Sequence, residues 1–268
     1  MNDRPDEAIK VAIESKVLRG KRAFVLGIAN EHSIAYGCAR VFRQLGAELA
    51  VTYLNEKARP YVEPLARELG ATIFAPCDVG KSGELEAVFQ QIRETWGSLD
   101  IALHSIAFAP KEDLQGRLVD SSGEGFKLAM DISCHSFVRM ARLAEPLMPN
   151  GGTLLAMSYH GANKVVPNYN LMGPVKAALE SAVRYLAYEL GEKHIRVHAV
   201  SPGPLKTRAA SGLKDFDVLL TEALERAPIG ELVDIDDVGL TAAYLTTPFA
   251  RRLTGTVTYV DGGLSIMA

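Results

Sequence analysis

Apolar residues in this chain fall into two kinds of run. Seven are of strand length, at residues 22–28, 48–54, 72–76, 100–104, 152–159, 195–201 and 255–260. Between them lie longer stretches whose apolar residues recur three and four apart, the spacing of helices. Strands alternating with helices predict a parallel sheet covered on both faces, a doubly wound α/β fold of seven strands in one domain. The longest helix is predicted over 124–147, with Phe126, Met130, Ser133, Phe137, Met140, Ala144 and Leu147 on one face. A second, over 168–190, is apolar around much of its circumference, so it needs cover beyond its own sheet and points to an oligomer.

Composition narrows the picture without naming a chemistry. A chain of 268 residues buries about three-quarters of its unfolded surface, enough to fold without disulfides or a structural metal. Net charge is −3 and no block of like charge stands out, so nucleic acid is not an expected partner. Cys38, Cys77 and Cys134 form no Cys-x-x-Cys pair and read as core residues in a reducing compartment. Residues 1–15 carry Arg4, Asp6, Glu7, Lys10 and Glu14, so this polar leader has no apolar stretch for a secretory signal. No run approaches the roughly 20 apolar residues that span a bilayer. The expectation is a cytoplasmic protein, with residues 16–268 as the folded domain.

The turn after the first strand suggests a ligand. Gly27-Ile28-Ala29 is followed by Ser33-Ile34-Ala35-Tyr36-Gly37 and an alanine-rich helix. A dinucleotide site needs backbone close to a pyrophosphate, N–H groups at a helix N-terminus and a glycine where helix meets strand; Gly27 and Gly37 suit the outer two needs and Ser33 the cap. Asp78-Val79 and Ser105-Ile106-Ala107 follow the third and fourth strands, at the carboxyl ends where such sheets bind ligands. Asp78 is placed either to cap a helix or to reach the adenine side. After the second strand come Leu54, Asn55 and Glu56, with Lys57 and Arg59 close by; NAD is favoured over NADP. This is a Rossmann-type arrangement without the strict Gly-x-Gly-x-x-Gly pattern.

Tyr159, Tyr169 and Lys176 are the most specific feature. In the helix predicted over 168–190, Tyr169 and Lys176 lie two turns apart on one face, with a rise of about 10 Å, so phenol and ammonium converge on one bound cofactor. The ammonium would then favour phenolate. Tyr-x6-Lys with a second tyrosine ten residues upstream resembles the bacterial type I enoyl-acyl-carrier-protein reductases of the short-chain dehydrogenase/reductase superfamily. The resemblance extends from Gly20 through His104-Ser105-Ile106, Phe108-Ala109-Pro110, Pro167-Asn168-Tyr169-Asn170, Ala209-Ala210-Ser211-Gly212 and Val260-Asp261-Gly262-Gly263.

That resemblance implies hydride transfer from NADH to the β-carbon of a trans-2-enoyl thioester on acyl carrier protein, with no metal. Tyr169 would donate a hydrogen bond to the enolate oxygen, Lys176 would hold the ribose hydroxyls and Tyr159 would line the substrate side. Gly27, Ile28, Ala29, Ser33, Ile34, Leu54, Asp78, Val79, Ser105, Ile106, Ala107, Leu205 and Thr207 would contact the cofactor, and Ala109 the substrate. A segment at about 205–228 would cover the acyl chain, Lys206, Arg208 and Lys214 would meet the acidic carrier, and the assembly would be a homotetramer. Pro174 and Leu54 depart from the family pattern, and His160 reads as a surface residue. Two rivals are a carbonyl reductase, which the placement of Ala156, Met157 and Ser158 argues against, and a non-catalytic dinucleotide-binding protein.

Overall fold

The computed structural model describes residues 16–207 and 216–267. The leader 1–15, Arg208, the Ala209-Ala210-Ser211-Gly212 motif, Lys214 and Asp215 lie outside the described residues. The seven expected runs form β1 (Arg22–Leu26), β2 (Glu48–Tyr53), β3 (Ile73–Pro76), β4 (Ile101–His104), β5 (Gly152–Met157), β6 (Ile195–Pro202) and β7 (Val257–Val260). They make one parallel sheet in the order β3-β2-β1-β4-β5-β6-β7.

Each strand feeds both faces of that sheet, because side chains alternate along a strand. In β1, Phe24 and Leu26 enter the core beneath α3 (Glu84–Trp96), α6 (Ser136–Ala144) and α7 (Met172–Leu190). Ala23 and Val25 enter the opposite core, beneath α1 (Ile34–Gln44), α2 (Arg59–Glu68) and α9 (Ile235–Thr246). The remaining helices are α4 (Lys111–Gln115), α5 (Gly123–Met130) and α8 (Phe216–Arg226). No helix among the described residues is long and apolar enough to cross a membrane.

Two helical expectations change. The predicted 124–147 helix is divided: a wider π turn, Asp131–His135, separates α5 from α6, and a 3₁₀ turn, Glu145–Leu147, closes it. The π turn aims Ser133 at the loop after β4, where its hydroxyl accepts from Phe108 N at 2.9 Å and donates to Phe108 O at 3.1 Å. Phe126, expected on the core face, is exposed, whereas Phe137, Met140 and Ala144 are buried. The second helix starts at Met172, not near Asn168, and its outer face leaves Tyr185 and Tyr188 in solvent.

Gly37 does not sit where helix meets strand. It lies where α1 crosses α9, and a Cβ there would stand 2.3 Å from the Ile235 carbonyl oxygen. Gly239 answers from α9, where a Cβ would stand 2.8 Å from the Gly37 carbonyl oxygen. Backbone meets backbone, so neither helix can yield by turning a side chain. Gly37→Ala is expected to lower stability by about 1–3 kcal/mol in urea unfolding; unchanged stability would show that the crossing is looser.

Candidate active site

The chain reverses direction across the sheet between β1 and β4, so their carboxyl ends open a crevice. Gly27 makes that crevice narrow. Its φ is +118°, and a Cβ would lie 2.1 Å from the Ser105 carbonyl oxygen, so the ends of β1 and β4 touch through backbone. Ser33 stands at the N-cap of α1, yet its hydroxyl does not bond the helix. It accepts from Ala29 N and Asn30 N, each at 3.0 Å, and fixes the preceding turn instead. The first turn of α1 therefore keeps its positive end without a side-chain cap.

On the other side of the crevice, β5 runs into Ser158 and Tyr159, and the chain returns through a short turn at His160–Ala162. Tyr169 is presented by a loop rather than by a helix face. Asn168 and Asn170 flank it with φ of 64° and 40°, left-handed conformations that asparagine tolerates better than most residues. The Asn170 amide donates to Leu114 O at 2.9 Å and ties this loop to α4. Gly161 makes room for the phenol ring: a Cβ there would lie 2.5 Å from Tyr169 Cδ1. Tyr159 packs edge-to-face on Tyr169, with ring centroids 4.8 Å apart at 64°.

Pro174 does not kink α7 between the two residues. It is the third residue of the helix, where its missing N–H costs no helical bond. Lys176 follows in the second turn, buried, and donates from Nζ to the Met157 carbonyl at 2.7 Å. The two-turn, one-face geometry expected from the spacing is thus replaced by a turn that carries the tyrosine and a helix that carries the lysine.

A cavity of about 330 Å³ joins these parts. Ile34, Ser105, Ile106, Ala107, Ala109, Tyr159, Tyr169, Lys176, Leu205 and Thr207 line it. Phe108, Leu114, Met157, Ser158, Met172 and Pro202-Gly203-Pro204 line it as well; for Leu114, which comes from the distant α4, no local pattern signalled this. Gly27, Ile28, Ala29, Ser33, Leu54, Asp78 and Val79 are not part of its lining. The first four build the turn beside it, and the last three follow β2 and β3.

Asp78 is no helix cap: it accepts from Gly80 N at 3.0 Å, and α3 starts after Gly83. Leu54 is half exposed at the end of β2. Of the two cations that clouded this end of the sheet, Lys57 is exposed and Arg59 is engaged. Arg59 lies 3.5 Å from Glu56 and 3.3 Å from Glu63, and Tyr53 donates to Glu56 at 3.1 Å.

Burial sets the protonation of the site. It raises Tyr169, reinforced by Tyr159 and Glu180, and raises Tyr159, so both stay phenols at neutral pH. This opposes the phenolate expected from a nearby ammonium. Desolvation lowers Lys176 to about 8, partly offset by Cys134 and Glu180. Behind it, burial and then the Lys176 charge push His104 down to about 3. The Ser136 hydroxyl gives its proton to Ile132 O at 2.6 Å, so the 2.6 Å contact to His104 assigns the imidazole hydrogen to Nε2. His160 is half-buried, not a surface residue, with a buried Nδ1 that has no partner.

An apolar cavity with two neutral phenols and one ammonium can bind a flat, hydroxyl-bearing ligand and stabilise a developing oxyanion. Among the described residues, no group of three His, Cys, Asp or Glu side chains could hold a metal ion.

The lysine's burial has a measurable cost. The folded protein releases the Lys176 proton near pH 8 instead of at its ordinary 10.5, a penalty of about 3 kcal/mol below pH 8 that fades as pH rises to 10.5. Lys176→Met is therefore expected to gain about 1–3 kcal/mol at pH 7 in urea unfolding, with the gain shrinking above pH 8. A variant less stable than wild type would contradict this.

Residues 27–265 match the family model described as enoyl-(acyl carrier protein) reductase. The chain is 46% identical over 252 residues to the NADH-dependent enoyl-acyl-carrier-protein reductase of Aquifex aeolicus, covering 94% of this chain and 93% of that one. It is 45% identical to the first such enzyme of Rhizobium meliloti, with the same coverage. Among solved structures, the Anaplasma phagocytophilum reductase in complex with NAD superposes with a TM-score of 0.91 at 45% identity, covering 94% of this chain and 96% of that one. The Bacillus cereus reductase with NADP+ and an indole naphthyridinone gives 0.92 at 42% identity, covering 94% and 99%.

Proposed function

The chain belongs to the enoyl-(acyl carrier protein) reductase family, and we propose on that footing that it reduces the trans-2 double bond of an enoyl thioester carried on acyl carrier protein, using NADH. The convergence of Tyr159, Tyr169 and Lys176 on one cavity at the sheet's switch point is the observation that carries this reading.

NADH, when bound, supplies the hydride for the β-carbon. The protein's own residues do the rest. Gly27, Ile28, Ala29, Ser33 and Ile34 form the turn and helix end for the pyrophosphate, with Ser105, Ile106, Ala107, Leu205 and Thr207 along the wall. Leu54, Asp78 and Val79 border the adenosine end. Arg59 is paired with Glu56 and Glu63 while Lys57 stays exposed, so the preference for NADH over NADPH rests on the family rather than on this end of the sheet.

Lys176 would hold the ribose hydroxyls with its ammonium. When the β-carbon is reduced, negative charge would develop on the thioester oxygen, where Tyr169 would donate a hydrogen bond, and the α-carbon would take its proton from solvent. A phenol kept neutral by burial is a suitable donor for that oxygen. Tyr159 and Ala109 line the substrate side.

Leu205 also borders a second cavity of about 280 Å³ with the buried Leu220 of α8, in keeping with a substrate cover over 205–228. Exposed Lys206 offers positive charge to an acidic carrier. Tyr185 and Tyr188 suit a contact between copies in a homotetramer, and the protein works in the cytoplasm without a metal, membrane or nucleic acid.

Purified protein given NADH and a trans-2-enoyl thioester is expected to oxidise the cofactor, and to leave it unchanged with a ketone. Oxidation with the ketone alone would make it a carbonyl reductase, and none with either a non-catalytic binder. Tyr169→Phe is expected to lower kcat by about 10²-fold or more; wild-type turnover would remove Tyr169 from the mechanism.

A further inference from the structure

Glu180 lies one helical turn beyond Lys176 on α7 and is buried. A carboxylate so placed is costly unless donors or an opposite charge hold it. Its Oε1 accepts from the Ser158 hydroxyl at 2.6 Å and its Oε2 from the Asn163 amide at 3.2 Å. Both oxygens act as acceptors, the pattern of the ionised form. Neither donor brings a full positive charge.

The groups around Lys176 come from several elements. His104 approaches from β4, Cys134 from the π turn and Tyr169 from the loop before α7. All three are neutral at physiological pH: desolvation lowers His104 and raises Cys134 and Tyr169. Glu180 is the negative charge in this company. Through Ser158, which lines the cavity beside Tyr159, it also grips the end of β5.

We propose that Glu180 is a positioning residue, the buried counter-charge that keeps Lys176 protonated inside the apolar cavity while it anchors the Ser158-Tyr159 wall. Its role follows from charge and from geometry together. Without it the ammonium keeps only the Met157 carbonyl, the Cys134 sulfur and neutral side chains. The importance of that ammonium for catalysis rests on the NADH reading above, whereas its protonation in the free protein does not.

The test is a titration of cofactor-free protein carrying a carbon-13 label on its lysine side chains, with the Lys176 signal assigned by its loss in Lys176→Met. In Glu180→Gln, which keeps the shape, the Lys176 midpoint is expected to fall by about one pH unit or more. Glu180→Asp, which keeps the charge, should retain most of the wild-type midpoint. If the glutamine variant does not fold, Ser158→Ala/Glu180→Met removes both hydrogen-bonding partners together and should show the same fall. An unchanged midpoint in a folded neutral variant would overturn the proposal. A lowered midpoint with NADH affinity unaffected between pH 7 and 9 would support the electrostatic role and instead count against the use of Lys176 in cofactor binding.

Discussion

A charged amine inside an apolar cavity has few ways to be held, and the site is arranged around that constraint. Lys176 is fixed by the Met157 carbonyl at the end of β5, so the helix that carries it is locked to the strand that carries Ser158 and Tyr159. The same cavity keeps Tyr169 and Tyr159 uncharged. A low-polarity setting strengthens any interaction those groups make with a bound ligand, at the cost of the desolvation that lowers Lys176 to about 8. Stability is given up at the position proposed to need a cation.

The crevice opposite is narrowed by backbone rather than by side chains. The contact of Gly27 with the Ser105 carbonyl brings the ends of β1 and β4 together, and Ser33 spends its hydroxyl on the turn instead of the helix. At the far end the two cations differ in their surroundings: Lys57 is exposed and Arg59 is paired.

Much of this was legible in the sequence. Strand positions followed from apolar runs, because strands buried on both faces leave an unbroken signal. The tyrosine-lysine pair was identified, but its presentation was misread: seven residues look like two helical turns, and the left-handed Asn168 and Asn170 that put Tyr169 in a loop have no periodic signature. The π turn at Asp131–His135 escaped for the same reason, since one extra residue in a long helix hardly disturbs its apolar spacing. Gly37 was read as a strand contact because sequence does not show which element a helix meets. Glu180 carries no signal of its own in the sequence, because its partners Ser158 and Asn163 are distant along the chain.

The account stands on the claim that one cavity gathers the lysine ammonium and the tyrosine hydroxyl at the reacting end of a dinucleotide. A crystal structure of the protein with NADH tests this most directly. The expected result places the nicotinamide and its ribose between Ile106 and Thr207, with Lys176 Nζ on the ribose hydroxyls and the Tyr169 hydroxyl facing the space above the ring. A nicotinamide lying outside this cavity, or Lys176 still bound to the Met157 carbonyl alone with the cofactor in place, would contradict it.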